Sequence, residues 1–254
     1  MKDAIVMWRD TRMVVLTALI GATYAAVMIP FKVFTLVPGY TEFRPGAVIP
    51  VVFSVMFGPA AAWGAGMGNL IGDMLGGMLG PGSVFGFVGN FMLGYVPYKV
   101  WGQLGFLSSG AEPTARPGWI GEYLLAAFLA SGVCATFIAW GVDMIGAVPF
   151  NVLSNLIFGP NVVMSGLLGP PLLVALYPRV KKWGLLYRDI LPGFSPGARR
   201  RWPFVILMFV GMAISYYIGN SFYLGMPVPV AEGAGLALGL VPSIAIMLLA
   251  AALL

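Results

Sequence analysis

The chain has no histidine in 254 residues. That absence excludes His-ligated haem, zinc sites of the H-E-x-x-H kind and serine–histidine catalysis. Its single cysteine, Cys134, stands inside an apolar run, so no internal disulfide can form. No G-x-x-x-x-G-K-[ST] motif occurs, and the chain is not itself a P-loop ATPase. No convincing nucleophile–base pair is present, so the reading is not an enzyme, with no cofactor and no metal expected. Charge is sparse as well. Only 9% of the residues are Asp, Glu, Lys or Arg, against 59% hydrophobic, and mean hydropathy is +0.92. A soluble domain of this length does not carry that balance; a polytopic membrane protein does. The short charged start, Met1 to Arg12, is not followed by an apolar stretch with a small-residue cleavage site, so no removed signal peptide is expected.

What is present, then, is a series of apolar runs. A span needs roughly 20 predominantly apolar residues. Eight candidates emerge: about Met13–Pro30, Ala47–Trp63, Gly64–Leu79, Phe85–Trp101, Tyr123–Val142, Asn161–Tyr177, Pro203–Ile218 and Gly233–Leu254, the second and third joined through Phe57-Gly58-Pro59, where the proline restricts the backbone. The sequence predicts an all-α bundle with a six-span unit over residues 1–178, a basic linker over 179–202 and a two-span hairpin over 203–254. With the N-terminus inside and the spans alternating, twelve of the fourteen basic residues fall on the inner side, and only Lys32 and Arg44 fall outside. The positive-inside rule supports that layout, with both termini cytoplasmic in a cell (inner) membrane. The net charge of +5 then reports topology within a lipid bilayer, and no nucleic-acid partner is implied. The Arg199–Arg201 run reads as an anchor.

Against so apolar a background the polar residues stand out, because a charged side chain at mid-bilayer costs on the order of a few kcal/mol. Asn69 and Asp73 are four residues apart in one segment, and Asn90 sits in the next. Gly64, Gly68, Gly72, Gly76 and Gly80 recur every fourth residue, and Gly82, Gly86, Asn90 and Gly94 continue the spacing. Such stripes let helix backbones approach closely, so the two segments are expected to pack on each other. The asparagines and Asp73 either lock that pair by hydrogen bonds, or bind a ligand, or do both.

The orientation places Asp73 and Asn90 toward the outer side. The 31–46 loop, with Lys32, Tyr40, Glu42 and Arg44, joins them there. So does the expected 143–160 loop with Asp143, Asn151 and Asn155, and Asn161 at the start of the next span. The aromatics Phe34, Tyr40, Phe43, Phe85 and Phe150 accompany them. Polar groups with aromatic walls make a plausible small-molecule pocket. Taken singly, Glu42 and Arg44 could be an interfacial pair and the asparagines could be loop and cap residues. The candidate substrate contacts are Tyr40, Glu42, Arg44, Asn69, Asp73, Asn90, Asp143, Asn155 and Asn161. In the first span, Ala18, Ala22 and Ala26 form a small-xxx-small face.

The order of these features is an A-x-x-x-A first helix, then Phe43-Arg44-Pro45-Gly46, Gly68-Asn69-Leu70-Ile71-Gly72-Asp73 and Phe85-Gly86-Phe87-Val88-Gly89-Asn90. Over about residues 10–178 it resembles the substrate-binding S components of energy-coupling factor (ECF) transporters, especially the vitamin and queuosine-precursor branch. The resemblance implies a six-helix protein that binds a small organic nutrient from outside, under a roof of loops. It also implies as partners a transmembrane coupling subunit and two ATP-binding subunits, with Ala18, Ala22 and Ala26 at the docking surface. The 203–254 hairpin departs from the usual six helices. The alternative reading is a non-transport accessory subunit of a larger membrane complex.

Overall fold

The computed structural model describes residues 1–42, 44–104, 108, 112–113, 118–191, 193, 201–230 and 235–254. Phe43, Arg116, Arg199 and Arg200 therefore lie outside the described residues. The regular structure is almost wholly helical: α1 Lys2–Val6, α2 Thr11–Met28, α3 Val48–Phe57, α4 Pro59–Leu75, α5 Gly82–Val100, α6 Trp119–Met144, α7 Phe150–Lys182, α8 Tyr187–Ile190, α9 Trp202–Tyr223 and α10 Leu236–Leu253. Five helices among the described residues, α2, α6, α7, α9 and α10, are long and apolar enough to cross a membrane. The molecule is a multi-pass membrane bundle.

Neighbours in sequence are neighbours in space from α4 to α7, with α2 against the far side of α4. Helix α3 closes the ring against α5 and α7, and α9 and α10 pair with each other and lie on α6 and α7. At its start, α2 is capped by Asp10, whose carboxylate accepts from the backbone N–H of Arg12 and Met13. After α2, Pro30 turns the chain into a short 3-10 segment, Ile29–Val33. Two antiparallel strands follow, β1 Thr35–Val37 and β2 Thr41–Glu42, joined by a turn that Gly39 makes possible with φ +79°.

Two expectations are corrected. The second and third segments join at Gly58–Pro59, within the Phe57-Gly58-Pro59 stretch read from the sequence, so the span bounds at Trp63 and Gly64 fall inside α4. Gly58 takes φ +53°, which few other residues tolerate, and Pro59 starts α4 where its missing N–H costs nothing. Helix α3 is consequently only 10 residues long, about 15 Å at 1.5 Å per residue, half a bilayer core. Tyr187 of α8 closes the space beneath it, and a Cβ on Gly58 would come within 2.6 Å of that ring. The α6–α7 connection is also short: α7 starts at Phe150, so residues 150–160 are helix, and Pro160 sits inside it. Membrane helices tolerate such prolines because neighbouring helices satisfy the freed backbone groups. The two glycine-striped segments do pack on each other, as α4 and α5, although the glycines of the two stripes do not meet. Gly64 and Gly68 of α4 turn to α2, against Ile20, Gly21 and Tyr24, while Gly80 lies beyond α4 with nothing near it. The α4–α5 contact is made by Gly86 against Asn69, Gly66 against Phe87 and Gly94 against Ala61.

Both termini lie at one end of the bundle. The Met1 amino group donates to the Ala252 carbonyl at 3.3 Å, and Arg201 donates to the carbonyl of Leu254. Lys99 pairs with Asp3 at the same end, at 2.9 Å. Lys32 and Arg44 lie at the opposite end, in the α2–α3 connection.

Candidate binding site

At that opposite end, seven side chains from four parts of the chain form one chain of polar contacts. Tyr24 of α2 donates its hydroxyl to Asn90 Oδ1 at 2.7 Å. The Asn90 amide donates to Asn69 Oδ1 at 2.9 Å and to the Gly86 carbonyl at 2.8 Å. Asn69 in turn donates to Asp73 Oδ2 at 3.2 Å. The other Asp73 oxygen accepts from Lys32 Nζ at 2.6 Å. Lys32 also stands 3.5 Å from Glu42, which stands 3.2 Å from Arg44 Nε. All seven residues are buried, from Asn90 at 0% exposed to Lys32 at 8%.

Local sequence explains the convergence. Asn69 and Asp73 are one turn apart on α4, on the face beside the glycines, and so look toward α5. Gly86 lets Asn69 approach that helix: a Cβ there would fall 2.9 Å from Asn69 Nδ2. Lys32 reaches Asp73 because Gly72 and Gly76 leave a groove along α4. A Cβ on Gly72 would touch Lys32 Cε at 3.7 Å, and one on Gly76 would overlap its Cδ. The β-hairpin roofs the cluster, with Tyr40 over Gly82, where a Cβ would sit 3.1 Å from the ring.

Beneath the roof is a cavity of about 20 Å³, little more than one water needs. Tyr40, Arg44, Asn69, Asp73 and Ser83 supply its polar lining, and Ile138 and Val142 of α6 close one side. Not every polar atom here is used. Both Glu42 carboxylate oxygens and the Nε and Nη1 of Arg44 are buried with no hydrogen-bond partner, since their ion pair lacks hydrogen-bond geometry. Buried polar groups are nearly always hydrogen-bonded, so each exception calls for a reason.

The remaining expected residues divide. Asn161 is buried on α7, one turn before Ser165, which donates to the Ala47 carbonyl; its Oδ1 has no hydrogen-bond partner. Asp143 and Asn155 are not brought to the cavity. Asp143 accepts from the Phe150 N–H and the Tyr223 hydroxyl. Asn155 donates to Asn220 Oδ1 at 2.6 Å and accepts from Tyr216 at 2.5 Å. Both fasten α9 to the main bundle. Among the described aromatics of that set, only Tyr40 lines the cavity; Phe34 is exposed and Phe85 packs on Phe137. Sequence reading left Tyr24 and Ser83 out of the candidates, and placed Lys32 at this face without assigning it a role. Its place as one of only two basic residues on the face that excludes the other twelve was the available signal for Lys32. On α2, Ala18, Ala22 and Ala26 are exposed, while Gly21 and Ala25 of the same helix are buried.

A second hollow, about 490 Å³, opens between α6 and α7 on the outside of the bundle. Its lining, including Leu124, Phe128, Val163 and Leu167, is apolar throughout and offers no group to orient a polar nutrient.

A family model described as "QueT transporter" matches residues 14–178. The search of curated proteins and the search of solved structures found no match.

Proposed function

The chain belongs to the QueT transporter family and is an S component of the ECF type; from that premise we propose that it captures a queuosine precursor, a small vitamin-like nutrient, at the outer face of the cell membrane. A separate transmembrane coupling subunit and two ATP-binding subunits then drive its uptake. Both termini are cytoplasmic. Residues 1–178 are the transporting unit, residues 179–202 a cytoplasmic linker and residues 203–254 an accessory hairpin.

One observation carries this reading. Ionic and amide side chains are gathered, buried, at one end of a largely apolar bundle, and the Nε and Nη1 of Arg44, which lines the cavity there, make no hydrogen bond. Helix locking alone accounts for Tyr24, Asn90 and Asn69, which satisfy one another. It does not account for Glu42 and Arg44, whose free acceptors and donors suit a polar heterocycle. Tyr40, Glu42, Arg44, Asn69, Asp73 and Asn161 are the proposed substrate contacts, with Asn90 holding Asn69 from behind. Since about 20 Å³ cannot admit such a molecule, the roof formed by β1, β2 and their turn moves aside for entry. Asp143 and Asn155 are assigned to hairpin attachment and not to substrate.

The exposed Ala18–Ala22–Ala26 face supports docking of the coupling subunit there, because small residues facing outward give a partner helix close backbone approach. Reconstitution in liposomes with coupling and ATP-binding subunits tests the whole proposal. ATP-dependent accumulation of a labelled queuosine precursor is expected; copurification with an unrelated membrane complex and no accumulation would favour the accessory role.

A further inference from the structure

Exposed charge is confined to one end of this molecule. Among the described residues, every exposed Lys, Arg, Asp or Glu lies at the end that holds the termini: Lys2, Arg9 and Arg12 around α1, and Arg179, Lys181, Lys182 and Asp189 around the end of α7. The end of α7 is fixed there because Tyr187 packs on Tyr98, next to the Lys99–Asp3 pair. The three exposed tryptophans among the described residues, Trp8, Trp183 and Trp202, are at this end too. Tryptophan beside basic residues marks a membrane–water interface.

The opposite end is built the other way round. Lys32, Glu42 and Arg44 are buried, whereas Val33, Phe34 and Leu36 are 79%, 61% and 43% exposed. A roof in water would turn its charges out and its apolar side chains in. The apolar edge continues onto α4. Lys32 lies against Gly76 and 3.5 Å from the Met78 sulfur, so its neighbour Val33 stands beside the end of α4, where Leu75 and Leu79 are also exposed. Helix lengths give the depth of this edge. The 18 residues of α2 rise about 27 Å at 1.5 Å per residue. The five residues Ile29–Val33 add up to about 10 Å at 2.0 Å per residue. With Trp8 at one interface, the roof begins about 27–37 Å away. The hydrocarbon core is about 30 Å thick, and about 40–45 Å with the headgroups, so the roof falls in the headgroup layer of the far leaflet.

We propose that membrane phospholipid is the partner of this edge: Val33, Phe34 and Leu36, with Leu75 and Leu79, rest at the boundary between headgroups and acyl chains, and the roof is a lid anchored in lipid. The leaflet is the one away from the termini, which is the outer one in the orientation proposed above. The edge runs without a break into the side of α4 that exposes Leu70, Ile71 and Met74. No polar rim separates it from the bilayer, as one would around a patch that docks a protein. The cavity then opens within the headgroup layer and not into free water, and the lid moves against lipid. The contact concerns the outer surface of the lid and holds whichever molecule the cavity takes.

Fluorescence quenching on the full-length protein tests this, in nanodiscs of phosphatidylcholine and phosphatidylglycerol, which leave both faces open to solutes. Phe34→Cys, Leu36→Cys and Leu79→Cys are each labelled with a thiol-reactive bimane. Cys134 is fully buried, so the unaltered protein serves as the blank. Two reference sites bracket the result: Val163→Cys on the exposed side of α7 for lipid, and Lys182→Cys at the charged end for water. The quenchers are phosphatidylcholines brominated at shallow and deep chain positions, and aqueous iodide. Brominated lipid should quench the three roof-edge labels at least about half as strongly as Val163→Cys, and iodide should quench them at least about threefold less than Lys182→Cys. All three positions are exposed, so no packed side chain is lost, and if one variant does not fold the other two still decide. Iodide quenching equal to that of Lys182→Cys, with none by brominated lipid, would place the roof in water and overturn the proposal. Shielding from both quenchers would show a protein cover, such as a second copy of this chain, and would overturn it as well. No ligand enters the measurement, so failure of the substrate assignment is a separate result.

Discussion

Asn90 faces three partners at once: it accepts from Tyr24 and donates to Asn69 and to the Gly86 carbonyl. Replacing it by Ala strands the Tyr24 hydroxyl and the Asn69 carbonyl in an apolar interior. The expected loss is about 1–3 kcal/mol of stability, from the price of an unmet buried group, read as a lower melting temperature in detergent. Ligand affinity should also fall, because Asn69 and through it Asp73 lose their support. Full affinity in a protein that melts early would make Asn90 helix glue and nothing more. Asn69, Asp73 and Asn90 were legible in the sequence because polar residues four apart stand out in apolar segments. Their hydrogen-bond order was not, since it depends on which helix faces which. Asp143 and Asn155 belong to the same end by sequence, yet they serve α9. The direction in which α7 presents them is set by packing of a helix that is apolar nearly all round, and no periodicity marks it.

At the scale of helices, the glycines separate into those that are squeezed and those that are free. A Cβ on Gly68 would come within 2.7 Å of the Gly21 carbonyl oxygen, a backbone atom that cannot rotate away. Gly68→Ala should therefore cost about 1–3 kcal/mol through overpacking of α2 against α4, while Gly80→Ala, with nothing within 4 Å, should leave the melting temperature unchanged. Equal melting of the two would contradict the α2–α4 contact. The four-residue spacing was visible in the sequence, but the partner helix was not: a stripe of small residues says that something comes close without saying what. The exposed stripe on α2 makes the complementary case. Ala22→Leu meets no neighbour inside the bundle, so binding by the purified protein should persist while assembly with the coupling subunit and uptake fail. Loss of binding and assembly together would remove the docking assignment. The bounds of α3 and α7 escaped sequence reading for local reasons. The Phe57-Gly58-Pro59 join was legible, but the apolar run carried the span bound on to Trp63, and Pro160 sits inside a helix that was expected to start after it, at Asn161.

Across the whole molecule the two ends differ in character. One gathers the termini, Lys99 and Arg201; the other gathers the roof, Lys32, Arg44 and the buried network. That polarity was legible from lysine and arginine placement alone, as was the all-helical bundle from composition. The closure of the site was not, because it comes from a roof of two short strands over a cavity whose size no pattern encodes. The hairpin α9–α10 is attached through the Asp143–Tyr223 contact and the Asn155–Tyr216–Asn220 cluster near the start of α7, and at the other end through the Arg201 backbone N–H to Gln103 Oε1 and the Met1 amino group to the Ala252 carbonyl. It covers α6 and α7 and leaves the Ala18–Ala22–Ala26 face of α2 open. Calorimetric titration of the purified full-length protein with a queuosine precursor tests substrate capture at this site most directly. The expected result is saturable binding of one molecule per chain, weakened at least tenfold in Asp73→Asn and unchanged in Asn155→Ala. No saturable binding, or equal binding by the unaltered protein and Asp73→Asn, would contradict it.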